Sequence, residues 1–230
     1  MLTCKTYFNW SSGKDSALAL QRLLQNPLYS VEYLLTTIHK PYQRVTMHGV
    51  RVELLLKQWE SIGIAGGMIE LPENPTNADY ETLMVQKITQ LKHAGFQCAA
   101  FGDIFLEDLR QYRERLLQAV NISAVFPIWQ KNSQRLADEL IDGGFKAIVV
   151  CINADLMDKS FVGRVFDRDF VNNLPQGIDP CGENGEFHTF CFDAPFFKHP
   201  VEFSVGETVL KEYRNSETRS QFWFCDLLPL

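Results

Sequence analysis

Apolar positions along this chain fall into short continuous runs that alternate with stretches of helical spacing. Residues 5–10 are rich in aromatic and β-compatible side chains and predict a buried strand near the start. Behind them Ala17, Leu18, Leu20, Leu23 and Leu24 recur near helical spacing, with Ser16 or Asp15 suited to cap the helix. The same alternation continues. A strand is predicted over 31–38, a helix over 49–62 carrying Val52, Leu55, Leu56 and Trp59, and a short strand over 66–71. After the breakers Pro72 and Pro75 come a helix over 79–94 and a strand over 97–101 that leads into Gly102 and Asp103. Strands alternating with helices predict an α/β fold with a parallel sheet covered on its faces. In such a sheet a ligand lies beyond the carboxyl ends of the strands, near a switch point. The loops after the first, second and fourth strands meet at that edge.

A second unit is expected from about residue 124. It holds residues 125–129, a helix over 134–142, a strong strand over 147–152 and a Pro, Gly and Asn-rich loop over 172–185. Strands over 189–192 and 201–213, and one over 222–224, complete it. The division expected is therefore 1–123 for an α/β domain and 124–230 for a smaller α+β domain.

Between the first strand and its helix, Asn9-Trp10-Ser11-Ser12-Gly13-Lys14-Asp15-Ser16 is the most informative stretch. Small residues let the backbone approach an anion, and a helix N-terminus presents free N–H groups and the positive end of its dipole. Lys14 adds a full charge, and Ser11, Ser12 and Ser16 add hydroxyl donors. Asp15 is placed to orient Lys14 or hold magnesium. A Walker A loop is excluded, because Phe8 stands where its first glycine belongs and Asp15 follows Lys14. The Gly-x-Gly-x-x-Gly fingerprint is absent. The partners that a Ser-x-x-Lys hydrolase requires are missing too.

What remains resembles the Ser-Gly-Gly-Lys-Asp-Ser loop of the PP-loop ATP pyrophosphatase superfamily, with Ser12 in place of the first glycine. If that position takes positive φ, the serine costs about 1–2 kcal/mol. Further segments narrow the resemblance to the diphthine–ammonia ligase (diphthamide synthase-like) family. They are Gly102-Asp103-Ile104, Tyr112-Arg113 within a Tyr-x-Arg-like segment, Pro127-Ile128-Trp129, and Gly182-Glu183-Asn184-Gly185-Glu186-Phe187. The resemblance implies a Rossmann-like, HUP-type parallel domain, ATP and Mg2+ as cofactors, and an AMP-forming amide ligase. That enzyme adenylates a carboxylate, diphthine on elongation factor 2, and transfers ammonia to it. Another carboxylate acceptor, or a non-catalytic ATP-binding regulatory module, stays open at this point.

The site residues implied are Ser11, Ser12, Gly13, Lys14, Asp15, Ser16, His48, Gly102 and Asp103 for ATP, with Asp15 and Asp103 toward magnesium. Lys14, Asp15, Glu183 and Glu186 are the expected catalytic groups. Arg113, Glu183, Asn184, Gly185, Glu186, His188 and Thr189 face the acceptor. His188 stands where the family often has an acidic residue. Carboxylates held close together raise one another's pKa, and a nearby histidine can shuttle protons. His39, His93 and His199 have no interpretable context.

Composition excludes other classes. A chain of 230 residues with 46% hydrophobic residues buries a sizeable core. A net charge of -6 without any basic run argues against a nucleic-acid partner. No signal-peptide pattern or apolar span of membrane length appears, so cytoplasmic residence without membrane contact is expected. A homo-oligomer is left open. The six cysteines show no Cys-x-x-Cys pair and read as reduced thiols, which disfavours persulfide or cluster chemistry. The length leaves no room for a glutaminase unit, making free ammonium the expected nitrogen source.

Overall fold

The computed structural model describes residues 3–214 and 219–230. Its first sheet is built from β1 (Cys4–Asn9), β2 (Tyr29–His39), β3 (Arg44–Val45), β4 (Gly66–Leu71), β5 (Cys98–Ala100) and β6 (Ser123–Val125). All but the short antiparallel β3 run parallel, in the order β4-β2-β1-β5-β6. Chain order thus reverses between β1 and β5, so the carboxyl ends of these two strands form the switch point of a Rossmann-like sheet. Helices α1 (Lys14–Leu24) and α2 (Val52–Ile62) cover one face; α3 (Asn77–His93) and α4 (Glu107–Gln118) cover the other. Strand alternation sorts the side chains: Phe8, Leu34, Ile38 and Ala100 go to the first face, Tyr7, Leu35, Ile69 and Ala99 to the second.

After α5 (Ser133–Asp142) a four-stranded antiparallel sheet follows. Its strands are β7 (Lys146–Asn153), β8 (Phe187–Asp193), β9 (Phe203–Arg214) and β10 (Arg219–Pro229), in the order β8-β7-β10-β9. A 3₁₀ turn (Lys159–Phe161) and a short helix α6 (Arg168–Asn172) lie between β7 and β8. Neither was expected from the sequence.

The two sheets share one hydrophobic core, in which Leu18, Leu20, Leu54 and Leu55 meet Ile148, Val150, Ile152 and Phe190. Helix α1 is enclosed between them, and Ala17, Leu18, Ala19 and Leu20 are buried in succession. A surface helix would alternate instead.

Two local expectations are corrected. Helix α1 begins two or three residues earlier than expected, with Gly13 at the N-cap, and the Ser16 hydroxyl turns back to Ser11 instead of capping. The cysteines are not all free thiols, for Cys4 and Cys98 form a disulfide. The register brings this about: Cys98 lies beside Thr6 of β1, and Cys4, two residues away, points to the same face. The remaining four cysteines are buried and free. The disulfide closes the amino-terminal end of the sheet, roughly 20 Å along β1 from the loop that follows it. Among the described residues no helix is long and apolar enough to cross a membrane.

Candidate nucleotide and acceptor site

A cleft of about 560 Å³ opens at the switch point, within the range of small-molecule sites. Ser11, Asp15 and Ser16 form one wall, Gly102, Asp103 and Arg113 a second, and Gly182, Glu183, His188 and Thr189 of the antiparallel unit a third. Thr36, Thr37, His39, Met47 and His48 line its outer end.

The loop at its base is wound tightly. Ser12 has φ 71, the left-handed region that glycine adopts at least cost. Its carbonyl accepts from Cys191 N at 2.9 Å and from Gln58 Nε2 at 3.0 Å. Its buried hydroxyl finds no partner among the described residues. Gly102 lets β5 approach the helix start: a Cβ there would lie 2.9 Å from Ser16 N and 3.1 Å from the Asp15 carbonyl carbon.

Lys14 does not line the cleft. It is 1% exposed, and its ammonium is 2.9 Å from Asp15 Oδ2 and donates to the Cys181 carbonyl at 2.5 Å. The rings of Phe166 and Phe187 flank it at 5.1 and 5.0 Å. Burial opposes its charge, but the Asp15 carboxylate and the groups around it hold its pKa above the usual lysine value. Burial pushes the Asp15 carboxyl upward, against the pull of Lys14. Asp15 Oδ1 is buried and has no hydrogen-bond partner among the described residues. No group of three His, Cys, Asp or Glu suited to a metal occurs among them either. A divalent ion held here would therefore take Asp15 together with ligand oxygens and water, an arrangement common for magnesium beside phosphates. Asp103 is otherwise engaged, with Oδ2 2.7 Å from Arg113 Nε and Oδ1 accepting from Arg113 Nη2 at 3.1 Å. The guanidinium also stacks on Phe101 at 4.4 Å.

Across the cleft, Glu183 Oε1 accepts from Ile104 N at 2.6 Å and Phe105 N at 3.3 Å. This carboxylate therefore joins the loop before β8 to the loop after β5. Burial outweighs these two amides and pushes its carboxyl up to about 7. Glu186, Asn184 and Gly185 do not reach the cleft. Glu186 is buried and accepts from Asp179 N and Asn184 Nδ2, and Gly185 turns the chain at φ 86. The His48 and His188 rings lie 4.8 Å apart and tilted, and His48 Nδ1 lies 2.8 Å from the Thr189 carbonyl. A carbonyl only accepts, so His48 carries its proton on Nδ1. Burial holds His48 down to about 4 and His188 well below the ordinary imidazole value. The Thr189 hydroxyl accepts from Lys14 N at 3.1 Å.

Of the expected residues, Ser11, Asp15, Ser16, His48, Gly102, Asp103, Arg113, Glu183, His188 and Thr189 converge on the cleft. Ser12, Gly13 and Lys14 support it from beneath. His39, which had no sequence context, lines it with a buried Nδ1 lacking a partner among the described residues. Tyr80 and Met84 of α3 were also missed, since nothing in α3's own pattern marks them.

A Rossmann-ordered sheet, a serine-rich loop at its switch point and a facing antiparallel unit define a nucleotide-site protein of the PP-loop class. The chain belongs to the diphthamide synthase family: residues 4–124 match the model of the diphthamide synthase N-terminal domain and residues 132–222 that of its C-terminal domain. It is 29% identical to the diphthine–ammonia ligase of Bos taurus over 110 residues, 45% of this chain and 41% of that protein. To the diphthine–ammonia ligase of Danio rerio it is 24% identical over 148 residues, 62% of this chain and 58% of the relative. For that of Schizosaccharomyces pombe the values are 23% over 144 residues, 61% and 23%. The chain thus spans less than two thirds of the length of these relatives.

Proposed function

We propose that this protein is an ATP-dependent, AMP-forming amide ligase that adenylates an acceptor carboxylate and transfers ammonia to it. In this reading the acceptor is diphthine on elongation factor 2, the nitrogen comes from free ammonium and the reaction runs in the cytoplasm. The parallel-sheet unit, which runs through β6 at Val125 and so past the expected boundary at 123, holds the nucleotide, and the antiparallel unit after it presents the acceptor. The observation that carries the reading is the single cleft in which Ser11, Asp15 and Ser16 face Glu183, His188 and Thr189.

A carboxylate oxygen is a poor leaving group, so ammonia does not displace it directly. Attack of that oxygen on the α-phosphorus of ATP forms the acyl adenylate and breaks the α–β bond, releasing pyrophosphate. Ammonia then adds to the acyl carbon, AMP departs, and the surplus proton leaves the new amide nitrogen. Ser11 and Ser16, 2.8 Å apart, offer hydroxyls to the phosphates at the mouth of the loop. Asp15 is the residue that would hold magnesium, which would supply neutralising charge at the phosphates. Lys14 seats the acceptor segment on the loop through the Cys181 carbonyl. Glu183, with a carboxyl near 7, is matched to receive the proton given up by the attacking nitrogen.

The test is to supply magnesium-ATP and ammonium with and without diphthine-bearing elongation factor 2, then to quantify nucleotide products and the amide. Acceptor-dependent AMP and pyrophosphate, abolished in Lys14→Ala and Asp15→Asn, are expected. Formation of ADP and phosphate instead would overturn the reading.

A further inference from the structure

Gln58 is 0% exposed, a polar side chain in the apolar interior of α2. Its Oε1 accepts from Trp10 Nε1 at 2.9 Å. Its two N–H groups donate to the Ser12 carbonyl at 3.0 Å and the Cys191 carbonyl at 2.6 Å. Both donors of the carboxamide are therefore used, and one plane of hydrogen bonds joins three segments: the end of the first strand, the left-handed turn of the loop and strand β8.

Burying an amide is favourable only when its hydrogen bonds are made. A purely apolar contact between α2 and the sheet would not need one, as Leu54 and Leu55 on the same helix show by packing without any polar atom. What the carboxamide contributes is direction. A left-handed serine is strained, and such a conformation persists only where its surroundings over-determine it. Cys191 N and Gln58 Nε2 both donate to the Ser12 carbonyl. Of these, only Gln58 also reaches Trp10, so it fixes where the peptide after Ser12 points relative to the strand that delivers it.

We propose that Gln58 is a positioning residue for the nucleotide: it keeps the Ser12–Gly13 peptide in the orientation that shapes the phosphate end of the cleft, without itself touching ligand. The assignment rests on the nucleotide reading of the cleft. The variants are Gln58→Met, which keeps length and volume but cannot donate, and Gln58→Glu, which keeps the acceptor for Trp10 but can donate to at most one of the two carbonyls. Ser61→Ala is the control. The Ser61 hydroxyl donates to the His199 carbonyl at 2.5 Å, so this change too removes a buried α2 hydrogen bond to the second unit, but one that does not reach Ser12 or Trp10.

Magnesium-ATP affinity is measured by calorimetry at a temperature where every variant is folded, with thermal midpoints recorded separately. Both Gln58 variants are expected to bind ATP at least about tenfold more weakly and to raise KM for ATP while leaving KM for ammonium unchanged. Ser61→Ala loses stability but binds ATP as the wild type does. If either folded Gln58 variant binds ATP normally, Gln58 is a structural residue only and the assignment falls alone. If the wild type binds no ATP, the nucleotide reading falls and takes this assignment with it.

Discussion

The imidazoles of His48 and His188 lie against each other with 4.8 Å between ring centroids and 36° between their planes, one from the loop after β3 and the other from β8. Burial keeps His48 neutral down to about 4. In the unfolded chain the same group protonates near its ordinary value of 6.5, so between 6.5 and about 4 the unfolded state binds more protons. Stability from this pair is therefore full above 6.5 and declines as pH falls toward 4. His48→Gln, which keeps a donor for the Thr189 carbonyl, is expected to flatten the fall in thermal midpoint over that window, as followed by calorimetry. An unchanged slope would show that the pair does not carry it.

Glu183 has the opposite sign. Its carboxyl is raised from 4.5 to about 7, so the folded state holds the proton that the unfolded chain has released. Its contribution to stability falls as pH rises from 4.5 through 7. Glu183→Gln should remove that decline and, if Glu183 takes the reaction's proton, should also remove an ascending limb near 7 from the amide-forming rate. Titration of the thermal midpoint and of the rate separates the two effects.

Ser12 occupies φ 71 with a hydroxyl that has no partner among the described residues. Ser12→Gly loses nothing polar and relieves the left-handed penalty of about 1 kcal/mol, partly offset by the extra freedom of an unfolded glycine. Its denaturation midpoint is expected to hold or rise slightly, with ATP affinity retained. Ser12→Val, stiffer at Cβ, should lose both.

Gly102 lies against backbone rather than a movable side chain, with Ser16 N 2.9 Å and Ser16 Cα 3.0 Å from the place a methyl would take. Gly102→Ala must displace the start of α1, at a cost of about 1–3 kcal/mol. A weakened ATP affinity larger than the stability loss explains is the expected result in parallel binding and unfolding measurements.

The Cys4–Cys98 disulfide closes a separation of 94 residues at the sheet end far from the cleft. Reduction, or Cys4→Ser, should lower stability by about 2–4 kcal/mol while leaving ATP affinity untouched. A change in affinity on reduction would show that the two ends of β1 are coupled.

The parallel sheet was legible in the chain because local periodicity reports burial: residues 66–71 read as a strand and form one, and the loop from Ser11 to Ser16 lies where its small residues and helical continuation place it. The cleft-lining part of the site was legible for the same reason, since Gly102, Glu183 and His188 belong to local segments with their own turn chemistry. Other features depended on the tertiary structure. Lys14 meets the Cys181 carbonyl 167 residues away, Gln58 clamps Ser12 and Cys191 across 46 and 133 residues, and Cys4 finds Cys98 only through the register of β1 with β5. A side chain's neighbours on its own segment set its secondary structure. The groups it hydrogen-bonds when buried are set by which segments pack together, and that information is distributed over the whole chain.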